Sequence, residues 1–337
     1  MNATPDAAAR LRITVFGAGA WGTALAQAFS TSHEVCLWGR DSAHLQETAS
    51  ARENRRYLPG VQLHDELRFE TDFAHAALGA ELFLVVTPLA GLRATVRELH
   101  RLQPGTPLLW ACKGLEKSSG RLPHEIVGEE VGSAAGSGVL TGPSFAAEVG
   151  RGLPAAVVLA AHDEAFARHW ARQLHQPRLR IYANADLVGC EIGAAVKNVI
   201  AIAAGVSDGL GFGFNARAAL ITRGLAEIAR LAEALGGRPE TLMGLAGMGD
   251  LILTCTGDLS RNRRVGLALA DGRALAQILS DLGQVAEGVS SARAIAGLAA
   301  ANGVDMPLCA TVDVLLRGEI SVHDAVERIL SRNPRAE

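Results

Sequence analysis

The chain has 337 residues, enough for two domains with a core each, and its balance of 49% hydrophobic to 20% charged side chains is that of a soluble globular protein. A formal net charge of −3 leaves no basic excess to draw in nucleic acid or an anionic membrane face, so neither is expected as a partner and any anion site must be local. With 4% aromatic residues the core must be aliphatic, and five scattered cysteines (Cys36, Cys112, Cys190, Cys255, Cys309), never at C-x-x-C spacing, read as reduced cytosolic thiols rather than disulfides or metal ligands.

The first ten residues, MNATPDAAAR, lack the cationic start and apolar stretch of a signal peptide and are expected to fray. No apolar run reaches about 18 residues without a charge, so no membrane insertion is expected. From Leu11 the pattern alternates short apolar runs with helical stretches: RITVFG, EVCLWG, then after a longer polar segment LFLVVTP and PLLWACKG. Continuously apolar strands separated by helices predict an α/β fold with a parallel sheet buried on both faces. GVLTGP, AAVVLA and LRIYA extend that sheet to about Ala183. Beyond Asp186 helical periodicity takes over, predicting helices over Leu187–Val206, Asn215–Leu235, Ser260–Ala270, Ser290–Asn302 and Ser321–Leu330. The expected division is a dinucleotide-binding domain over 1–185 and a helical substrate-binding domain over 186–337.

ITVFGAGAWGTALAQAFS sets Gly17, Gly19 and Gly22 directly after a strand and at the opening of a helix, the context that makes G-x-G-x-x-G a Rossmann dinucleotide fingerprint. Gly17 permits the tight turn, Gly19 lets backbone approach a pyrophosphate, and Gly22 allows the helix to pack on the strand, with Ala20 and Trp21 completing the cradle. The second strand ends VCLWGRD, where an NAD enzyme usually carries an acid for the ribose hydroxyls. Arg40 there favours the 2′-phosphate of NADP(H), while Asp41 either takes the ribose of NAD(H) or caps the next helix.

Lys197 with Asn198 interrupts an otherwise Ala, Ile, Val and Gly helix, and with Glu191 it lies on a polar stripe. An ammonium in a dry cleft whose pKa falls from about 10.4 toward 7–8 can protonate an alkoxide and deprotonate an alcohol; a bland reading has it snorkel from a helix edge. Lys113 follows a strand end, where open α/β sheets place ligands, and a second cation there would lower Lys197 further. Asp250, after a glycine-rich turn, either orients an ammonium or caps a helix. Ser260, Arg261 and Asn262 sit at a helix start that could cradle one phosphate. No metal site is expected.

Over nearly the whole chain these stretches resemble the bacterial NAD(P)-dependent glycerol 3-phosphate dehydrogenase family. The matching segments are GAGAWGTALA, LWGRD, NRRYLPG, ACKGLE, LTGPSFAAEV, GAAVKNVIAIAAGVSDGLGFGFNARAALITRGLAE, GMGDLILTCTGDLSRNRRVG and GQVAEG. The resemblance implies reversible reduction of dihydroxyacetone phosphate to sn-glycerol 3-phosphate for glycerophospholipid synthesis in the cytoplasm, a helical domain similar to that of 6-phosphogluconate dehydrogenase, and a homodimer. It implies Lys197 as proton donor and acceptor, Lys113 touching substrate and cofactor, and Asp250 beside the reacting end. Ser260, Arg261 and Asn262 would surround the substrate, with Arg261 also reaching cofactor. Gly142 and Ser144 match substrate contacts and Ala146 a cofactor contact, while Val285 and Glu287 match a loop that closes over the dinucleotide. Ala20 stands where the family often has Ser, and Ala286 where VEG is commoner. Two rivals share parts of this pattern: a dehydrogenase for a hydroxyacid or ketopantoate-like carboxylate, which needs no second phosphate site, and a cofactor sensor without catalysis.

Overall fold

The apolar runs of the first half form strands because each side chain, on either face, can be covered by a helix. In this computed structural model, which describes residues 10–132, 135–283 and 285–330, β1 (Arg12–Phe16) and β4 (Leu82–Val85) are almost wholly buried. The expected frayed start, residues 1–9, and Gln284 of GQVAEG lie outside the described residues. Among the described residues one eight-stranded sheet adds β2 (Glu34–Trp38), β3 (Arg68–Glu70), β5 (Leu108–Trp110), β6 (Ser137–Thr141), β7 (Ala155–Ala160) and β8 (Leu179–Asn184). Its order is β3-β2-β1-β4-β5-β6-β7-β8, and the first six strands are parallel, in the doubly wound arrangement of dinucleotide-binding domains.

Two features depart from the expected parallel sheet. β7 runs antiparallel to β6, with Val139 opposite Ala160, and β8 is parallel to β7. The connection from β6 to β7 contains only the short helix Ala146–Gly150, too little chain to return along the sheet as a parallel crossover does. β3 lies inside the polar segment that carries no strand signal; its three residues RFE are exposed or half-buried at the sheet edge.

The chain divides into two compact units, Met1–Cys112 with Pro123–Leu187, and Lys113–Leu122 with Val188–Glu337. Sequence order alone assigns Lys113–Leu122 to the first half, yet Leu115 and Leu122 are buried in the aliphatic core of the second. At the centre of that core runs the helix Leu187–Gly209, every residue of which from Gly189 to Ser207 is buried. It is the one helix among the described residues long and apolar enough to cross a membrane by length and composition, and 94% of that stretch is covered by protein. A helix apolar on all sides belongs in a core.

The helix Arg261–Ala270 packs on it backbone to backbone. A Cβ on Gly205 would fall 2.1 Å from the Arg263 carbonyl oxygen, and one on Gly266 2.1 Å from that of Ile202. Helices Asp250–Thr256, Leu275–Leu282 and Pro307–Leu316 were not among those expected from periodicity; each is seven to ten residues long, short enough for periodicity to miss. All five cysteines are buried, and burial pushes the Cys36 thiol up to about 11 and Cys255 up to about 12, far from nucleophilic.

The start of Pro307–Leu316 is held by a buried carboxylate. Pro307 has no N–H, and Glu227, 2% exposed, accepts from the next two, Leu308 N–H at 2.7 Å and Cys309 N–H at 3.1 Å. Replacing Glu227 by Ala strands both donors away from water, so unfolding free energy should drop by about 2–3 kcal/mol in a denaturant titration. A loss under about 0.5 kcal/mol would show that the cap is dispensable.

Candidate active site

The glycine turn is built on the first unit as the fingerprint requires. Gly17 adopts φ +128°, and a Cβ there would lie 2.6 Å from the Val86 carbonyl oxygen. A Cβ on Gly22 would strike the Gly17 oxygen at 1.9 Å, so the helix Ala20–Phe29 sits directly on the turn. Gly19, the residue before that helix, is different: a Cβ there would meet nothing within 4 Å. Open space over a helix start whose N–H groups carry no side-chain cap fits a dinucleotide pyrophosphate. Ala20 and Trp21 form the first turn of the helix, half-buried beside this space.

Just past the end of β2 stand Arg40 and Asp41. Arg40 is exposed. Asp41 caps the helix Ser42–Ala51: its Oδ1 accepts from His44 N–H at 3.1 Å, and its Oδ2 lies 3.3 Å from Arg56 Nη1. The His44 N–H and then the nearby cationic groups hold this carboxyl below the usual range. Asp41 thus caps its helix, and its carboxylate, like the Arg40 guanidinium, remains open to solvent.

The second unit gathers the charged residues of the buried helix. Asp250, 1% exposed, takes an ammonium on each oxygen: Lys113 Nζ donates to Oδ2 at 3.0 Å and Lys197 Nζ donates to Oδ1. Lys197, 6% exposed, also donates to Thr254 Oγ1 at 2.9 Å, and that hydroxyl donates to the Asp250 carbonyl at 2.6 Å. Lys197 therefore does not snorkel. Asp250 follows a wide turn, Leu245–Gly249, and opens the helix Asp250–Thr256, so Thr254 lies one turn along the same face.

Burial and pairing divide the two amines. Burial, opposed by Asp250 and reinforced by the Lys113 charge, pushes Lys197 down to about 8. Burial acts on Lys113 too, but the Asp250 charge and hydrogen bond, with Glu287, carry it above the ordinary lysine value. One amine stays charged while the other can exchange a proton near neutrality. Each amine has three N–H donors, so beyond their contacts with Asp250 the pair retains donors suited to an oxygen that gains charge.

Beside Lys197, Asn198 holds a second network. Asn262 Nδ2 donates to Asn198 Oδ1 at 2.9 Å, Gly288 N–H donates to Asn262 Oδ1 at 2.9 Å, and Asn198 Nδ2 donates to Glu287 Oε2 at 3.3 Å. Both polar atoms of the Asn262 side chain thus have partners within the protein. Ser260 caps the helix Arg261–Ala270, its Oγ accepting from Arg263 N–H at 3.3 Å, and Arg261 is exposed at the first position. Asp208 fixes this helix from behind, accepting from Arg217 Nε and Arg263 Nε, each at 2.7 Å. Glu287 begins the helix Glu287–Ala301 and Val285, 55% exposed, precedes it.

Gly142, Ser144 and Ala146 lie on the first unit just after β6; Gly142 has φ +134°, and Ser144 Oγ donates to its carbonyl at 3.2 Å. Lys113, Lys197 and Asp250 come together in the second unit. Thr254, Asp208 and the bridging role of Asn198 escaped the sequence reading. Asn198 alone had a signal, an amide in an apolar helix; Thr254 and Asp208 read as ordinary polar surface residues.

Comparison with known proteins places this arrangement. Residues 12–167 match the family described as NAD-dependent glycerol-3-phosphate dehydrogenase N-terminus, and residues 186–327 match its C-terminus. The chain is 71% identical over 328 residues to a glycerol-3-phosphate dehydrogenase (NAD(P)+) of Aromatoleum aromaticum, covering 97% of this chain and all of that one. It is 58% identical to the protein of that name in Dechloromonas aromatica, covering 97% and 99%. The crystal structure of glycerol-3-phosphate dehydrogenase from Coxiella burnetii superimposes with a TM-score of 0.91 at 40% identity, covering 96% of this chain and 99% of that one. With both halves matched and long relatives at such identity, the chain belongs to the NAD-dependent glycerol-3-phosphate dehydrogenase family.

Proposed function

We propose that this protein is an oxidoreductase that reversibly reduces dihydroxyacetone phosphate to sn-glycerol 3-phosphate with NADP(H) or NAD(H), the open Arg40 favouring NADP(H). The observation that carries this reading is the pair of buried ammonium groups on Asp250, a device for protonating an alkoxide in a family whose relatives carry that name. Most of the cofactor contacts fall in residues 1–185 and most of the substrate contacts in 186–337. Gly17, Gly19, Ala20, Trp21 and Gly22 seat the pyrophosphate, Arg40 the 2′-phosphate, and Ala146, Val285 and Glu287 further parts of the dinucleotide. The protein works in the cytoplasm as a homodimer and supplies glycerophospholipid synthesis.

The nicotinamide, when bound, supplies or accepts the hydride. The Ser260 helix start and Arg261 grip the substrate phosphate, with Asn262, Gly142 and Ser144 adding contacts. Lys113 remains charged and stabilises the carbonyl oxygen as negative charge develops. An ammonium has three N–H donors; Asp250 and Thr254 engage two of those on Lys197, and the third delivers the proton to that oxygen. In the reverse direction the neutral amine of Lys197 takes the alcohol proton, and Asp250 keeps it aimed.

Oxidation of NADPH and NADH by the purified protein with dihydroxyacetone phosphate tests the assignment directly; no oxidation of either cofactor would overturn it. In the same assay Lys197→Ala should lower kcat by roughly 10²- to 10⁴-fold with little change in cofactor affinity. Near-normal turnover would remove Lys197 from the chemistry.

The pH dependence has a definite sign. Reduction needs Lys197 protonated, so kcat/KM for dihydroxyacetone phosphate should fall as pH rises through about 8. Oxidation of glycerol 3-phosphate needs the neutral amine and should rise through the same range. Profiles with no inflection between about pH 7 and 9 in either direction would contradict the assignment.

Arg261→Ala should raise the KM for dihydroxyacetone phosphate by roughly tenfold to a hundredfold, because a phosphate contact is present in ground and transition states alike. Steady-state titration checks it, and an unchanged KM would place the phosphate elsewhere.

A further inference from the structure

We propose that Asn54, in the loop after the helix Ser42–Ala51, is a positioning residue for cofactor binding: it aims the Gly19 N–H at the dinucleotide pyrophosphate. The proposal rests on the cofactor reading given above. Asn54 is 0% exposed although it is polar and lies outside any helix or strand. Every hydrogen-bonding atom of its amide is engaged. Nδ2 donates to the Ala18 carbonyl at 3.0 Å and to Thr23 Oγ1 at 2.8 Å, while Oδ1 accepts from Tyr57 N–H at 3.1 Å. Donors on one side and an acceptor on the other fix which way the amide faces.

The Ala18 carbonyl matters because of what shares its peptide plane. In a trans peptide the C=O of one residue and the N–H of the next point in opposite directions. Asn54 draws the Ala18 oxygen into the protein, so the Gly19 N–H is turned the other way. Gly19 itself faces open space, with nothing within 4 Å of the position its Cβ would take. The Gly19 N–H belongs to the residue that caps a helix N-terminus, outside the helical ladder, where such groups meet anions.

The same turn explains why such a clamp is needed. Glycine at 17 and 19 provides the bend and the close approach, but it also lets the peptide between them rotate at little steric cost. A donor whose direction wanders must be ordered when the ligand arrives, and that ordering weakens binding. Asn54 removes the wandering in advance. Thr23 lies on the helix that receives the anion, so one amide ties the turn, the helix and the 54–58 loop together; Leu58 N–H closes that loop on the Asn54 carbonyl at 2.8 Å.

Two variants remove the contacts that Nδ2 makes to the Ala18 carbonyl and to Thr23. Asn54→Ser retains an oxygen for the Tyr57 N–H but is too short to reach Ala18. Asn54→Asp keeps the shape and the acceptor and loses both donors. With whichever nicotinamide cofactor the wild type prefers, fluorescence titration and steady-state kinetics should show Kd and KM for cofactor raised about tenfold in both variants. At saturating cofactor, kcat and the KM for dihydroxyacetone phosphate should hold within about twofold, a split that general loss of structure would not produce. If the wild type binds cofactor and both variants bind it equally well, or if kcat and both KM values deteriorate together, the positioning role is wrong. A wild type that binds neither NADPH nor NADH would overturn the cofactor reading itself, and this role with it.

Discussion

Asp250 between two ammonium groups is the interaction on which the chemistry depends. A lone lysine inside an aliphatic core would shed its proton, and two lysines would repel each other. A buried carboxylate lets both remain, and Glu287 adds to its pull on each. Lys113 is carried above the ordinary lysine range, whereas burial and the neighbouring Lys113 charge draw Lys197 down to about 8. A cation that holds its proton thus stands beside one that can exchange it. Thr254 adds direction, tying the Lys197 amine to the same helix that carries Asp250.

Each unit has a helix start with the features that suit an anion. In the first unit the helix Ala20–Phe29 is uncapped, and glycine clears the space before it. In the second, Ser260 caps the helix Arg261–Ala270, and the arginine beside it adds charge. Such local features suit phosphate-bearing ligands without making a chain of formal charge −3 basic overall. Precision comes from behind each site: Asn54 holds the glycine turn, and Asp208 holds Arg263 on the Ser260 helix.

Much of this was legible in the sequence, and what was not has physical reasons. β1, β2, β4 and β5 announced themselves because continuous apolar runs are unusual outside buried strands. Lys197 stood out because a charge in an apolar helix demands a partner. The partner was harder to read: Asp250 lies 53 positions away, and only the fold decides that it orients ammonium groups rather than serving as a cap. Asp41, by contrast, does cap its helix, and it lies beside Arg56 as well. Local spacing cannot distinguish the two, since capping and ion pairing use the same carboxylate. The direction of β7 and the grouping of Lys113–Leu122 with the helical unit were hidden for a related reason. Both depend on what a segment packs against, through Leu115 and Leu122 in one case and a short connection in the other.

The cap that Asp41 provides couples the rim of the sheet to the helix beyond it. Its Oδ1 accepts from His44 N–H, while its outer oxygen, open to solvent, lies beside Arg56. Exchanging this acid for an apolar residue would loosen the opening turn of Ser42–Ala51 as well as alter the charge beside Arg40. Electrostatic retuning of this corner through Asp41 thus carries a conformational cost.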